Sequence, residues 1–148
     1  MGKITFITIT FLFGCILPMQ GAINTRLATY VQHPLWSSFI SFSVGVTTLS
    51  SLLFILRIPA PAFSQLSQIP WYLWLGGVLG SIFITSVIYI VPHIGIANFL
   101  AAAIAGQLIG SIVIDHFGIL NLPVQPLGIQ RVIGALFLLI GVYIIQKS

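Results

Sequence analysis

The sequence predicts an all-α integral membrane bundle of five transmembrane helices, and both its composition and its charge spacing indicate this fold class. The chain has 148 residues, of which 58% are hydrophobic and 4% are charged, and its mean hydropathy is +1.16. A soluble domain carries about 25% charged residues, so a soluble fold of 16.1 kDa could not bury this much apolar surface. Five basic residues and one acidic residue separate the apolar stretches. Each stretch is close to the roughly 20 residues that cross a bilayer as a helix.

The five spans follow one another in a single domain over residues 1–148. We predict them at residues 4–23, 35–56, 70–91, 96–114 and 127–145. In the first span, Pro18 has no N–H to donate to the carbonyl of Gly14, which predicts a kink in the helix. Beyond this span, the helical pattern can continue to Val31.

Prolines and aromatic residues mark the ends of the other spans. Arg57 ends the second span, and the prolines that follow it begin a connector over residues 59–69. This connector can form a short interfacial helix with three apolar side chains on one face, namely Phe63, Leu66 and Ile69. Trp71 and Trp74 open the third span as interfacial aromatic residues. Residues 92–95 predict a tight turn before the fourth span.

The fourth span has a polar face beside a face of small residues. Gln107, Ser111 and Asp115 recur every four residues and therefore lie on one side of the helix. Gly106 and Gly110 lie on the neighbouring side, where small residues let helices approach closely in lipid. We predict Gln107 and Ser111 as substrate-binding residues and the two glycines as helix-packing residues. A hydrogen bond between helices is the alternative role of Gln107.

The first span carries a second polar pair. Gln20 and Asn24 are four residues apart and lie next to the kink at Pro18. Interrupted helices are tolerated within a membrane where they line a polar cavity. We therefore predict both as substrate-binding residues, with structural hydrogen bonds as the alternative. Further packing faces are predicted in the third span at Gly76 and Gly80, and in the second span at Ser37, Ser41 and Gly45.

Asp115 is the sole side-chain carboxylate of the chain, and His116 follows it directly. It lies at the end of the fourth span, on the same predicted side as Arg131. We predict these three residues as a coupling or gating group. An interfacial ion pair between Asp115 and Arg131 is the structural alternative.

The sequence excludes several classes of function. One carboxylate cannot supply the paired groups of acid–base catalysis, and the histidines and Cys15 do not have metal-ligand spacing. The sequence contains neither a Walker A pattern nor a glycine-rich phosphate loop. The pI of about 9.7 comes from five bases scattered between spans rather than from a basic patch. We therefore predict no enzyme activity, no cofactor, no metal and no nucleic-acid partner.

The basic residues barely favour one orientation in the membrane. An odd number of spans puts the termini on opposite sides, and an excess of Lys and Arg in cytoplasmic loops normally sets the orientation. Three basic residues, Lys3, Arg57 and Arg131, fall on the N-terminal side, and two, Arg26 and Lys147, fall on the other. This near balance predicts that the chain can insert in both directions.

An ordered set of short motifs carries a family resemblance over about residues 10–145. The motifs are Leu17-Pro18-Met19-Gln20-Gly21-Ala22-Ile23-Asn24 in the first span, Trp71-Tyr72-Leu73-Trp74-Leu75-Gly76-Gly77 in the third, and Gly106-Gln107 with Asp115-His116-Phe117-Gly118 in the fourth. Together they resemble the YdcZ-like family of the drug/metabolite transporter superfamily. The resemblance implies a multi-pass protein of the bacterial inner membrane. It also implies one half of an inverted-repeat transporter, since many members of the superfamily consist of two inverted five-helix halves.

A half-transporter needs a second half, which the same chain supplies if it inserts both ways. We therefore predict a transporter that moves a small polar metabolite or drug-like solute by alternating access. Its expected partners are membrane lipid, the solute, and either a second copy in an antiparallel homodimer or a separate half-transporter. The related small multidrug resistance proteins carry a glutamate in their first helix, but this chain has no Glu, so we expect a neutral or zwitterionic solute. A lipid flippase and a non-transporting subunit or scaffold are the alternative functions.

Overall fold

The computed structural model is all-α over the residues that it describes, which are 2–147 without the side chains of Lys3 and Asn121. The α-helices of this part are α1 Lys3–Gly14, α2 Ile16–Val31, α3 Pro34–Ile55, α4 Phe63–Leu66, α5 Leu75–Ile94, α6 Ile96–Phe117 and α7 Ile129–Gln146. Five of its segments are long and apolar enough to cross a membrane: Ile4–Val31, Pro34–Ile55, Trp71–Ile94, Ile96–Phe117 and Ile129–Gln146. The predicted fold class, an all-α membrane protein with five spans, is confirmed.

The first span consists of α1 and α2 and is interrupted at Cys15. The amide of Cys15 bonds to two carbonyls of the preceding turn, each at 3.2 Å. Pro18 has no N–H to bond the carbonyl of Gly14, so the expected interruption lies one turn before the proline. The span has 28 residues and runs past residue 23 to Val31. It is therefore longer than the roughly 20 residues that the bilayer core requires.

A two-residue turn joins α2 to α3. Gln32 takes the left-handed conformation, with φ of 58°, and His33 is extended. The N–H of Leu35 donates to Nδ1 of His33 at 3.2 Å, so the histidine caps α3. Pro34 occupies the first helical position, where no N–H is needed. Because the turn is so short, α2 and α3 pack side by side as an antiparallel pair.

The connection from α5 to α6 is shorter than the turn predicted over residues 92–95. A 3₁₀ turn, Trp71–Trp74, leads into α5, which continues through Pro92 to Ile94. Pro92 lies in the last turn of the helix, so it removes only one backbone hydrogen bond. Gly95 alone, with φ of 79°, separates α5 from α6. The predicted turn is therefore reduced to a single residue.

The chain divides into two compact units, Met1–His93 and Ile94–Ser148, and apolar side chains cover much of the surface of each. The buried hydrophobic residues among those described are Val87, Ile88, Phe99, Ala105 and Val142. The connector before α5 contains the expected short helix, α4, and its Phe63 is exposed. Lipid rather than water suits such a surface, because helices satisfy their own backbone groups in hydrocarbon. The single domain over residues 1–148 stays a prediction.

Candidate functional site

Two serines of α3 connect three helices of the first unit. Ser37 is 0% exposed, and its Oγ donates to the backbone carbonyl of Asn24 in α2 at 2.7 Å. The Oγ of Ser38 lies 2.9 Å from Oγ1 of Thr85 in α5. Small side chains let helices approach closely in lipid, and hydrogen bonds between them add to the packing. These contacts join α2 and α5 to α3.

Asn24, predicted to bind substrate, is buried at the contact between α2 and α3. It is 4% exposed, and its backbone carbonyl accepts the bond from Ser37. Its Nδ2 has no hydrogen-bond partner among the described residues. An unpaired buried amide costs about 1–3 kcal/mol. Because it is buried where Ser37 of α3 bonds to α2, Asn24 lies at a helix contact rather than on an open cavity wall.

Gln20, one turn earlier on α2, has different surroundings. It is exposed and lines a groove of about 260 Å³ between α2, α3 and α5. The other lining residues are Ser41, Phe42, Gly45, Val46, Leu49 and Ile84. Gln20, Ser41 and Ile84 each lie within four residues of the midpoint of their spans, which is about 6 Å along a helix axis. The structure thus brings Gln20 together with Ser41, which the sequence assigned to packing.

The polar groups of this groove have no hydrogen-bond partner among the described residues. On α3, four neighbouring hydroxyls donate to the carbonyl four residues earlier at 2.8–2.9 Å, namely those of Ser43, Thr47, Thr48 and Ser51. The hydroxyl of Ser41 and the amide of Gln20 form no such bond in the described part of the chain. Their donors and acceptors are therefore available to a molecule in the groove.

Asp115, His116 and Arg131 lie together in the second unit, where α6 ends and α7 begins. Nη1 of Arg131 lies 3.3 Å from Oδ2 of Asp115, and the two side chains are 34% and 39% exposed. The ion pair predicted as the structural alternative is therefore present. His116 is half-buried beside it and stacks edge-on against Phe117.

The loop between α6 and α7 folds back onto this ion pair. The N–H of Gln125 donates to the carbonyl of Asp115 at 2.8 Å, and the N–H of Leu127 donates to Nδ1 of His116 at 3.3 Å. Arg131 also donates to both the side-chain and main-chain oxygens of Gln125. Sequence reasoning missed Gln125, because a loop has no periodicity from which its contacts can be read.

Gln107 and Ser111 share an exposed face of α6, as their spacing predicts. The hydroxyl of Ser111 donates to the carbonyl of Leu108 at 2.8 Å. Gln107 lies at the middle of its span, and its amide has no hydrogen-bond partner among the described residues. Beside it, a Cβ at Gly106 or Gly110 would meet nothing within 4 Å in the described part of the second unit apart from the adjacent residues and the backbone of α6 itself.

The glycines of α5 differ in their surroundings. A Cβ at Gly80 would lie 3.9 Å from Cζ of Phe42 in α3, an ordinary van der Waals contact. A Cβ at Gly76 would meet nothing within 4 Å among the described residues of the first unit apart from the adjacent residues and the backbone of α5 itself. The helix-packing role of Gly76, Gly106 and Gly110 stays a prediction.

These polar groups all lie inside a stretch of the chain that matches a known family. The family described as "Putative inner membrane exporter, YdcZ" matches residues 5–144. The chain belongs to the YdcZ family. Inner membrane protein YdcZ of Escherichia coli (strain K12) is 26% identical to it over 143 residues, which is 95% of each chain. No solved structure matches the chain.

Membership of the YdcZ family agrees with the five spans and gives the chain its location. It is a multi-pass protein of the bacterial inner membrane. The description of the YdcZ family is that of an exporter, which is a membrane transporter and not a class of enzyme. The groove at Gln20, the exposed amide of Gln107 and the pair Asp115–Arg131 are the candidate site features of this chain.

Proposed function

We propose that this chain is a half-transporter that moves a small polar metabolite or drug-like solute by alternating access, and that it works as an antiparallel homodimer. The observation that carries the proposal is the position of Gln107. Its amide is exposed at the middle of an apolar span and has no hydrogen-bond partner among the described residues. A polar group facing hydrocarbon is unfavourable, and polar residues within spans normally face the bundle interior or a water-filled path.

The surface beside Gln107 supports a second copy as its neighbour. Within the second unit, Gly106 and Gly110 leave a strip of α6 uncovered, and small residues of this kind let a second helix approach closely. Inverted repeats form transport sites near the midplane of the membrane, at the interface between the repeats. Two oppositely inserted copies of a five-span chain would reproduce that arrangement, with Gln107 beside the transport path.

Gln107→Leu is expected to abolish transport while leaving assembly intact. Leucine matches the surrounding hydrocarbon but cannot hydrogen-bond a solute. Flux would be measured in proteoliposomes with a solute identified by a thermal-shift screen of purified protein, and assembly by crosslinking. Gln68→Leu, in the exposed connector, is the matched control and should transport normally. Wild-type flux by the Gln107→Leu protein would contradict the proposal.

A lipid flippase is the second candidate, and a larger apolar groove favours it. This groove of about 470 Å³ lies between α3 and α5, with Leu35, Ile82 and Ile90 among its walls. Arg26 lies five residues before the end of its span at Val31, where a long basic side chain can reach the lipid headgroups. Translocation of fluorescent lipid in the same proteoliposomes would favour this candidate. A non-transporting subunit would move neither lipid nor solute.

Dual topology is expected to give comparable signals from two C-terminal reporters, one active only in the cytoplasm and one active only outside it. The reason is the near balance of basic residues on the two sides. Ser64→Lys with Gln68→Lys should bias the orientation, because both lie in the connector on the N-terminal side. The biased protein should regain function only when an oppositely biased copy is supplied. A signal from one reporter alone would contradict dual topology.

The cluster of Asp115, His116 and Arg131 is the proposed coupling or gating element of this transporter. Its bonds hold the loop over residues 118–128 against the ends of α6 and α7. Alternating access requires the two ends of a transport path to open in turn. A cluster of hydrogen bonds at a helix end can form and break without disturbing the rest of the span.

A further inference from the structure

The groove between α2, α3 and α5 presents free polar groups near the middle of three spans. Gln20 lies on one wall and Ser41 on another, and neither side chain is hydrogen-bonded within the described part of the chain. The amide has both donors and an acceptor, and the hydroxyl can also donate and accept. Because water is scarce at this depth, Gln20 and Ser41 would gain hydrogen bonds from an occupant that pairs with both of them.

The remaining walls of the groove are apolar. Phe42, Val46, Leu49 and Ile84 supply them, and none of the lining residues is charged. Gly45 leaves room, because a Cβ there would meet nothing within 4 Å in the described part of the first unit apart from the adjacent residues and the backbone of α3 itself. An occupant would therefore place an apolar body against these side chains and a polar head between Gln20 and Ser41.

No charged side chain of the first unit lines the groove in its described part, so an ionised head would have no counter-charge there. The nearest base along α2 is Arg26, about 9 Å beyond Gln20 along the helix axis. Its guanidinium already lies over the ring of Tyr30 and donates to the tyrosine hydroxyl at 3.5 Å. The only side-chain carboxylate of the chain, Asp115, is paired with Arg131. A charge in the groove would lose its hydration without gaining a partner.

The larger groove between α3 and α5 differs in its chemistry. Its hydroxyls at Ser81, Thr85 and Ser86 all donate to carbonyls of their own helix, at 2.7–2.9 Å. Those hydroxyls therefore offer a ligand only their oxygen lone pairs. Of these two grooves, the one at Gln20 and Ser41 offers both donors and acceptors.

We infer that the groove at Gln20 and Ser41 binds the solute, and that this solute is a small neutral amphiphile whose head both donates and accepts hydrogen bonds, as a primary amide does. The inference rests on the proposed transport function and narrows its substrate class. Ser41 is then a specificity-determining residue, because its hydroxyl is free while those around it are not. The volume of about 260 Å³ lies below the roughly 300–1,000 Å³ of most ligand pockets, so the solute is small.

Three fluorinated probes test the charge preference. They are 4-fluorobenzamide, 4-fluorobenzoate and 4-fluorobenzylammonium, which share a ring and differ in the charge of the head. Binding to the full-length protein in lipid nanodiscs is measured by ¹⁹F NMR line broadening at neutral pH. The amide is expected to bind saturably, and both charged probes at least tenfold more weakly. Equal binding of a charged probe would overturn the inference.

A pair of serine variants tests the location. Ser41→Ala should weaken amide binding about three- to tenfold, the effect of one hydrogen bond. Ser43→Ala should change it less than about twofold, since that hydroxyl is exposed and already donates to the carbonyl of Phe39. Gln20→Leu should remove saturable binding. Far-UV circular dichroism and gel filtration verify that each variant is folded, and equal effects of the two serine variants would overturn the site.

The outcomes separate this inference from the transport proposal. If the amide binds with the expected variant pattern but no solute flux depends on Gln107, the groove is a binding site and the transport proposal fails. If flux depends on Gln107 and is unaffected by Gln20→Leu and Ser41→Ala, transport stands and this groove is not its solute site.

Discussion

Ser37→Leu is expected to separate α2 from α3 and to lower the free energy of unfolding by about 2–4 kcal/mol. Ser37 is 0% exposed, and its Oγ lies 2.7 Å from the carbonyl of Asn24. Leucine adds three carbons where no space exists, and overpacking of this kind costs about 1–3 kcal/mol. The lost hydrogen bond between helices adds roughly 0.6 kcal/mol or more. The first unit would then lose the contact that holds its groove together.

Unfolding of this variant would be followed by far-UV circular dichroism during titration with SDS in mixed micelles. Ser43→Leu is the matched control, because Ser43 lies on the same helix and is exposed. It should unfold at the wild-type SDS concentration. Ser37→Ala should fall between the two, since it removes the hydrogen bond without adding volume. Equal stability of Ser37→Leu and Ser43→Leu would show that this contact does not determine the packing of α2 on α3.

The spans could be predicted from sequence because hydropathy and length alone determine them. The break in the first span could also be predicted, since Pro18 lacks the one N–H that the carbonyl of Gly14 needs. At Pro92 the turn predicted over residues 92–95 was too long, because the helix continues through the proline to Ile94. A proline in the last turn removes one bond, and that loss does not end the helix one turn early.

Side-chain surroundings could be predicted only in part. The four-residue spacing correctly put Gln20 and Asn24 on consecutive turns, but it could not say which of them α3 would cover. That depends on where the two helices cross, and the short turn at Gln32 and His33 sets this position. As a result, Asn24 is buried while Gln20 lines the groove.

The loop after α6 had one readable signal, the glycine at its start. Gly118 has φ of 59°, and a Cβ there would lie 2.7 Å from Cγ2 of Val124. A glycine is therefore required where the chain reverses. Two residues after this reversal, Gln125 and Leu127, bond back to the end of α6, and no pattern in the sequence predicts these bonds. They meet Asp115 and His116 through backbone N–H groups that every non-proline residue has.

Arg131→Gln is expected to loosen the loop between α6 and α7 and to slow transport at least tenfold. The variant removes the counter-charge 3.3 Å from Asp115 and the bonds to both oxygens of Gln125. A partly exposed ion pair contributes about 0.2–1 kcal/mol, and each added hydrogen bond about 1 kcal/mol. These contributions sum to about 2–3 kcal/mol, which corresponds to a roughly 30- to 150-fold change in the opening equilibrium. Amide hydrogen exchange at Gln125 and Leu127 should accelerate by about that factor.

The charge exchange Asp115→Arg with Arg131→Asp separates a gate from a structural contact. It keeps one cation and one anion at the end of α6, so it should restore part of the exchange protection of the loop. Arg57→Gln is the control, since Arg57 is exposed and forms no ion pair in the described part of the chain. Recovery of both protection and transport would mean that the pairing itself governs the step. Recovery of protection without transport would contradict a gating role for the pairing alone, because the loop would then be held while the transport cycle still failed.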